Sequence, residues 1–149
     1  VTVPKIADSI KKSPVVPTVF VNGPFSINTS APQNVVVILD KVDGTYVNES
    51  KNAFTRYLNE SFRGEPITIV RDAIDKDRTV LVFTSFNDAA TAYQFLLKIK
   101  KAAPEEISWL PASKYSFYLM NEENLQLLKT NKDLAGYIAL LNKVFPGKF

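Results

Sequence analysis

RTVLVFTSFNDAATAYQFLLKIK, Arg78 to Lys100, sets the frame for the whole chain. It opens on Val80 to Phe83, an apolar run of β-branched and large residues. It closes on Ala89, Ala92, Tyr93, Leu96 and Leu97, which recur at helical spacing. Between them stands Ser85-Phe86-Asn87-Asp88. The Asn87 side chain can accept from a free amide of the first helical turn, so it is the predicted N-cap. Asp88 then puts negative charge at the positive end of the helix dipole. The unit reads as strand, tight turn and capped helix, and no part of it calls for a catalyst.

Working outward, Val35 to Leu39 predicts a first strand and Val42 to Tyr46 a turn around Gly44. Val47 to Phe62 predicts a helix with Phe54, Leu58 and Phe62 in one line, and Gly64 is placed to end it in a left-handed cap. Ile67 to Val70 is the second strand and Val80 to Phe83 the third. The second helix is expected from Asp88 to about Ala102, stopped by Pro104, with Ile107 to Leu110 a short extended piece. Tyr115 to Met120 is the fourth strand. Asn121 caps a short helix through Lys129, and a last helix covers Lys132 to Phe145. Its stripe is Leu134, Tyr137, Ile138, Leu141 and Phe145, and Pro146-Gly147 stops it.

The order β-α-β-β-α-β with two trailing helices predicts an α+β fold, a ferredoxin-like sandwich with both core helices on one face of four strands. Strands one and three are apolar at every position rather than alternately, which implies burial on both faces. The trailing helices, with the N-terminal arm, are therefore expected to cover the second face.

Residues 1–33 form the arm and 34–149 the domain. The arm holds Pro4, Pro14, Pro17, Pro24 and Pro32, more than half of the chain's 9 prolines. Ile6 to Lys12 reads as a short helical turn, and Val15 to Val21 as an edge strand or polyproline segment. Phe20, Phe25 and Ile27 are costly to leave in water, so the second half of the arm is expected to dock and the first dozen residues to be loose. Val1 in place of a methionine predicts a piece of something longer.

Composition narrows the chemistry. At 149 residues the chain suits one domain plus an arm. It has no Cys and no His, which removes disulfides, thiolate nucleophiles, zinc-thiolate sites and every Ser-His or Cys-His mechanism. No enzyme activity and no cofactor are expected. The net charge of +3 is spread along the chain. Its densest cluster, Lys98, Lys100 and Lys101, suits a helix C-terminus, with a patch for polyanions as the alternative. Asp72, Asp75 and Asp77 lack the glycine and closing glutamate of a calcium loop and read as a solvated hairpin loop. An RNA-recognition motif shares this topology. Phe83 and Phe86 fit two of its aromatic slots, but Val80 stands where glycine is needed and Leu81 where an aromatic is needed. Nucleic-acid binding is not expected. Aromatic residues gather near the fourth strand, and the candidate partner surface is Trp109, Tyr115 and Tyr118 with Lys98 and Lys101.

FTSFNDAATAYQFLLKIK, Phe83 to Lys100, resembles the second half of a sporulation-related repeat (SPOR) domain, in which a strand runs into Gly-Pro-Phe and then a helix rich in alanine and leucine. Phe86 and Ala89 to Ala92 carry the likeness, Thr84 replaces the glycine, and the first-strand counterpart of the motif is missing. That resemblance implies binding of peptidoglycan glycan strands across an open sheet face. A closer resemblance runs from about Pro24 to the end. NVVVILDKVD (Asn34–Asp43), VNESKNAFTRYL (Val47–Leu58) and Trp109 to Phe149 resemble the C-terminal domain of large tetratricopeptide-repeat lipoproteins of the Bacteroidetes, of the PorW/SprE type, which serve type IX secretion and gliding. The closing run of that family is matched by Val144-Phe145-Pro146-Gly147-Lys148-Phe149. This resemblance implies the periplasmic side of the cell envelope, a repeat array upstream of Val1, an upstream lipid anchor to the outer membrane as the sole membrane contact, and no catalysis. The expected function is a non-catalytic protein-binding or scaffold domain at the C-terminus of a larger envelope protein, with a protein partner or peptidoglycan as ligand. A SPOR-like glycan-binding domain is the alternative.

Overall fold

A computed structural model describes residues 19–149. The expectations for Ile6 to Lys12, and for looseness of the first dozen residues, lie outside them. Two short strands, β1 (Val19–Asn22) and β2 (Phe25–Asn28), form an antiparallel hairpin. Gly23 holds the first loop position at φ +60°, the sign that a two-residue hairpin turn needs there. Then follow β3 (Gln33–Asp40), α1 (Gly44–Ser61), β4 (Thr68–Ala73), β5 (Arg78–Phe86) and α2 (Ala89–Glu106). A 3₁₀ turn, Ala112–Lys114, leads into β6 (Tyr115–Met120), and α3 (Glu122–Asn131) and α4 (Leu134–Val144) complete the chain. The order β4-β5-β3-β6, with every pair antiparallel, is that of a ferredoxin-like α+β sandwich.

Several boundaries differ from the sequence reading, each for a local reason. The cap of α2 is Asp88, whose carboxylate accepts from the Thr91 amide at 2.8 Å, while Asn87 stays exposed. Pro104 does not stop α2. Its ring lacks one amide near the helix end, but Ala103 and Ile107 on either side are fully buried, and Ile107 still bonds to Ala103 at 2.9 Å. Helix α1 starts three residues earlier than expected because Asp43 caps it through the Thr45 amide at 2.9 Å. Gly64, at φ +86°, lies two residues past the Phe62 cap rather than in it. Ile107 to Leu110 is a turn, closed by the Leu110 amide on the Ile107 carbonyl at 3.0 Å, not an extended piece.

The register decides which side chains share a face. Val35 lies opposite Phe83 on one side and Leu119 on the other. Val37, Leu39, Leu81 and Phe117 therefore point the same way. On that face Phe54 of α1 and Phe95 of α2 each pack 5.6 Å from the Phe83 ring. Between Gln33 and Val35 the register shifts, Thr84 and Ser85 of β5 standing against Asn34 alone of β3. This bulge returns Phe86 to the same face, 4.8 Å from Phe95.

The opposite face carries Val36, Ile38, Val80 and Val82, all at 4% exposure or less. Both core helices are on the other side, so the cover comes from the hairpin, α3 and α4. Phe25 and Ile27 of β2 are buried, and Phe25 meets Tyr137 of α4 edge-on at 5.2 Å. The Tyr137 hydroxyl donates to the Leu119 carbonyl at 2.5 Å. Burial pushes that hydroxyl far above its ordinary pKa, so it stays a donor. Asn124 of α3 donates to the Ser26 carbonyl at 2.8 Å, and Asn22 of the hairpin to the Gly136 carbonyl at 2.8 Å. Helix α4 is buried along Tyr137, Leu140 and Leu141, while Leu134 and Ile138 of the predicted stripe are half-buried. The cover ends at β4, where Val70 is 51% exposed.

The acidic connection is less solvated than its composition predicts. Asp75 holds Arg78 at 2.9 Å and takes the Asp77 and Arg78 amides. Asp72 pairs with Lys129 of α3 at 2.6 Å, tying sheet to cover. Burial pushes the Asp72 carboxyl up, but the Lys129 and Ala73 hydrogen bonds and the Lys129 charge outweigh it, and its pKa lies below the ordinary 3.8.

Two outcomes follow. Phe25→Ala removes a fully buried ring shared by hairpin and α4, and is expected to cost about 3–5 kcal/mol in urea unfolding, against less than about 0.5 for Val70→Ala. Because the folded pKa of Asp72 is depressed, its contribution is complete above the unfolded carboxylate pKa and is lost as pH falls through the folded value. Asp72→Asn is therefore expected to flatten the fall of melting temperature between pH 5 and pH 2, in thermal scans run about 1 pH unit apart. An unchanged acid slope would remove Asp72 from the latch.

Candidate functional site

The four-stranded sheet has two outer strands, and they differ in chemistry. β4 reads TIVRDA and carries Arg71 and Asp72, the second engaged by Lys129. β6 reads YSFYLM, with no charge and no proline. Charges and prolines are what usually keep an edge strand from pairing with another chain. β6 therefore lacks the protection that β4 has.

Alternation along β6 turns its aromatic residues to both faces. Tyr115 and Phe117 share the α2 side, their rings edge-to-face at 5.7 Å. Tyr118 points to the other side and stacks with Phe149 at 6.2 Å. Phe149 is held by Asn142 of α4 in both directions, accepting its amide at 3.0 Å and donating to its carbonyl at 3.2 Å. Phe145 stacks on Tyr93 of α2 at 4.5 Å. Helices α2 and α4 lie on opposite faces of the sheet, so that stack has to pass around an edge, and the Phe149 contact with Tyr118 shows the edge to be β6. The tail thus closes the Leu119–Met120 end of β6.

Toward Tyr115 the edge stays open among the described residues, in a cleft of about 380 Å³. α2 supplies Lys100 and Pro104, β6 supplies Tyr115 to Tyr118, and the tail supplies Lys148 and Phe149. Among the described residues the cleft is lined by aromatic rings and two lysines, with no Asp or Glu side chain. The Tyr115 amide bonds to the Ala112 carbonyl and the Leu119 carbonyl accepts from Tyr137. Both bonds lead away from β3. In an antiparallel ladder alternate residues direct both backbone groups to the same side, so Tyr115, Phe117 and Leu119 are the outward set. Phe117, between the two occupied positions, keeps an outward N–H and C=O with no partner among the described residues.

Of the residues singled out from sequence, Tyr115 and Tyr118 line this cleft. Lys98 sits elsewhere on α2, 5.6 Å over the Phe62 ring. Lys101 is exposed on α2 outside the cleft, and Trp109, 41% exposed, lies in the loop before the 3₁₀ turn. The contributing lysine is Lys100. Its i,i+4 spacing to Pro104 carried the signal, since at 100° per residue the three lysines of the cluster cannot share one face. Phe149 carried no signal, because only the fold of the tail brings it to β6. Among the described residues no three His, Cys, Asp or Glu side chains are grouped to hold a metal ion, and no helix is long and apolar enough to cross a membrane. Comparison of the chain with protein-family models, curated proteins and solved structures returns no match.

Asn142→Ala is expected to release the tail. The Phe149 amide, protected in the parent chain, exchanges with solvent at the rate of an unstructured amide in the variant, with an unfolding cost of about 1–2 kcal/mol. Exchange that stays slow would place the anchor elsewhere.

Proposed function

We propose that this chain is a non-catalytic protein-binding or scaffold domain of a larger cell-envelope protein, and that it takes its partner at the open edge of β6. The observation that carries the reading is the uncharged, aromatic edge strand, left open at its Tyr115 end among the described residues, beside a cleft with two lysines and no Asp or Glu side chain. The envelope placement, the upstream repeat array and the link to type IX secretion and gliding rest on the resemblance of Asn34–Asp43, Val47–Leu58 and Trp109–Phe149 to the tetratricopeptide-repeat lipoproteins. A glycan ligand of the SPOR kind is the weaker reading, because it needs an open sheet face and both faces of β3 and β5 are buried here.

The test places a photo-crosslinking residue at Tyr118 of the full-length protein in its own cells, and at exposed Arg56 of α1 as the control. The expected result is a discrete envelope protein crosslinked from position 118 and not from position 56. Retention of the chain on amidase-treated peptidoglycan that disappears in Tyr115→Ala and Tyr118→Ala, with no protein crosslink, would transfer the function to glycan binding.

A further inference from the structure

We infer that the open edge of β6 accepts an extended, acidic segment of its partner as a fifth strand of the sheet, which deepens the protein-binding reading above and rests on it. Three independent features meet there. The first is the backbone: Phe117 offers an outward N–H and C=O without a partner among the described residues, between Tyr115 and Leu119, whose own outward groups are half used. An added strand is the ligand that satisfies a donor and an acceptor on one residue together. A globular surface without a free strand edge does not.

The second feature is the pair of walls. A strand laid beside β6 turns alternate side chains to opposite faces. On one face they meet Pro104 and the Tyr115–Phe117 pair, and on the other Tyr118 and Phe149. Apolar or aromatic residues of either parity are therefore covered. The cleft of about 380 Å³ is of the size that holds one large side chain with its neighbours.

The third feature is charge, and it selects the occupant. Lys100 comes from the helix on one face and Lys148 from the tail on the other, with no Asp or Glu side chain among the described lining residues and the terminal oxygen of Phe149 engaged by Asn142. A second copy of this chain pairing β6 to β6 brings the same two lysines of each copy to the shared edge, like charge against like. A strand bearing carboxylates beside its apolar residues meets opposite charge on each face.

The experiment uses the 149-residue chain, uniformly labelled with nitrogen-15, and capped peptides of about eight residues that carry glutamate at both odd and even positions among valines around a central phenylalanine. The expected result is saturable shifts confined to Tyr115–Tyr118, Lys100 and Phe149, and slowed hydrogen exchange of the Phe117 amide. Binding should weaken about tenfold in the exposed double variant Lys100→Glu, Lys148→Glu, and should also fall as salt is raised. A peptide with lysine replacing glutamate should bind at least about tenfold more weakly. Methylating the peptide nitrogens of one alternate set should abolish binding, and of the other set leave it, since one edge alone meets β6. Equal binding of acidic and basic peptides, indifference to both methylated sets, shifts at β4, or concentration-dependent dimerisation through β6 would each overturn the inference. If the acidic peptide fails while the Tyr118 crosslink still captures an envelope protein, strand addition is wrong and the protein-binding reading stands. If the crosslink captures nothing, that reading fails as well.

Discussion

The fold depends on one strand that has no solvent side. β3 is apolar at every position from Val35 to Leu39, and its residues are buried to 3% exposure or less. A ferredoxin-like sheet covers one face with its two core helices and leaves the other to something else. At roughly 25 cal/mol per Å² of apolar surface, a bare Val-Ile-Val face on β3 and β5 costs several kcal/mol, comparable to the whole margin of a small domain. The hairpin, α3 and α4 are the answer, and their links to one another and to the sheet are specific: Asn124 to Ser26, Asn22 to Gly136, Tyr137 to Leu119, Lys129 to Asp72. The cover is thereby fixed in register rather than merely collapsed onto the sheet.

Burying both faces moves any ligand to the rim. The two edges of the sheet are then the places where backbone groups can still be offered, and the chain treats them differently. β4 is charged, and Asp72 on it is committed to Lys129. β6 is uncharged, and half of its edge is closed by the aromatic bridge of Tyr93, Phe145 and Phe149. The same tail that closes one half forms a wall of the cleft at the other.

Strand and helix identity were legible in the sequence because the hydrophobic patterns are long. The two-faced burial of β3 and β5 was legible for a stronger reason: an unbroken Val-Val-Val-Ile-Leu run has no other inexpensive placement. Boundaries were less legible. Asp88 rather than Asn87 caps α2, because the two side chains are equally competent and tertiary packing chooses the start. Pro104 was read as a stop, yet the burial of Ala103 and Ile107 outweighs the one missing bond. The hairpin was hidden by the prolines around it. The candidate site was half legible: Tyr115 and Tyr118 stood out as aromatic residues on a strand, whereas the outward orientation of Phe117 and the arrival of Phe149 are products of topology that no local pattern encodes.

The position of Phe117 joins these strands of argument. Its side chain is buried at 7% exposure on the α2 face, so the strand cannot rotate to point its amide elsewhere without exposing the ring. The Tyr115 amide and the Leu119 carbonyl, one position either side in the outward set, are both held. Among the described residues the Phe117 donor and acceptor are thus unpaired and held in place, and under the proposed strand addition a ligand strand would order itself against a surface that has little left to lose. That preorganisation lowers the entropic cost of binding. Under that proposal the aromatic walls and the two lysines supply the affinity of a short edge, and the backbone pairing sets the direction and register of what lies between them.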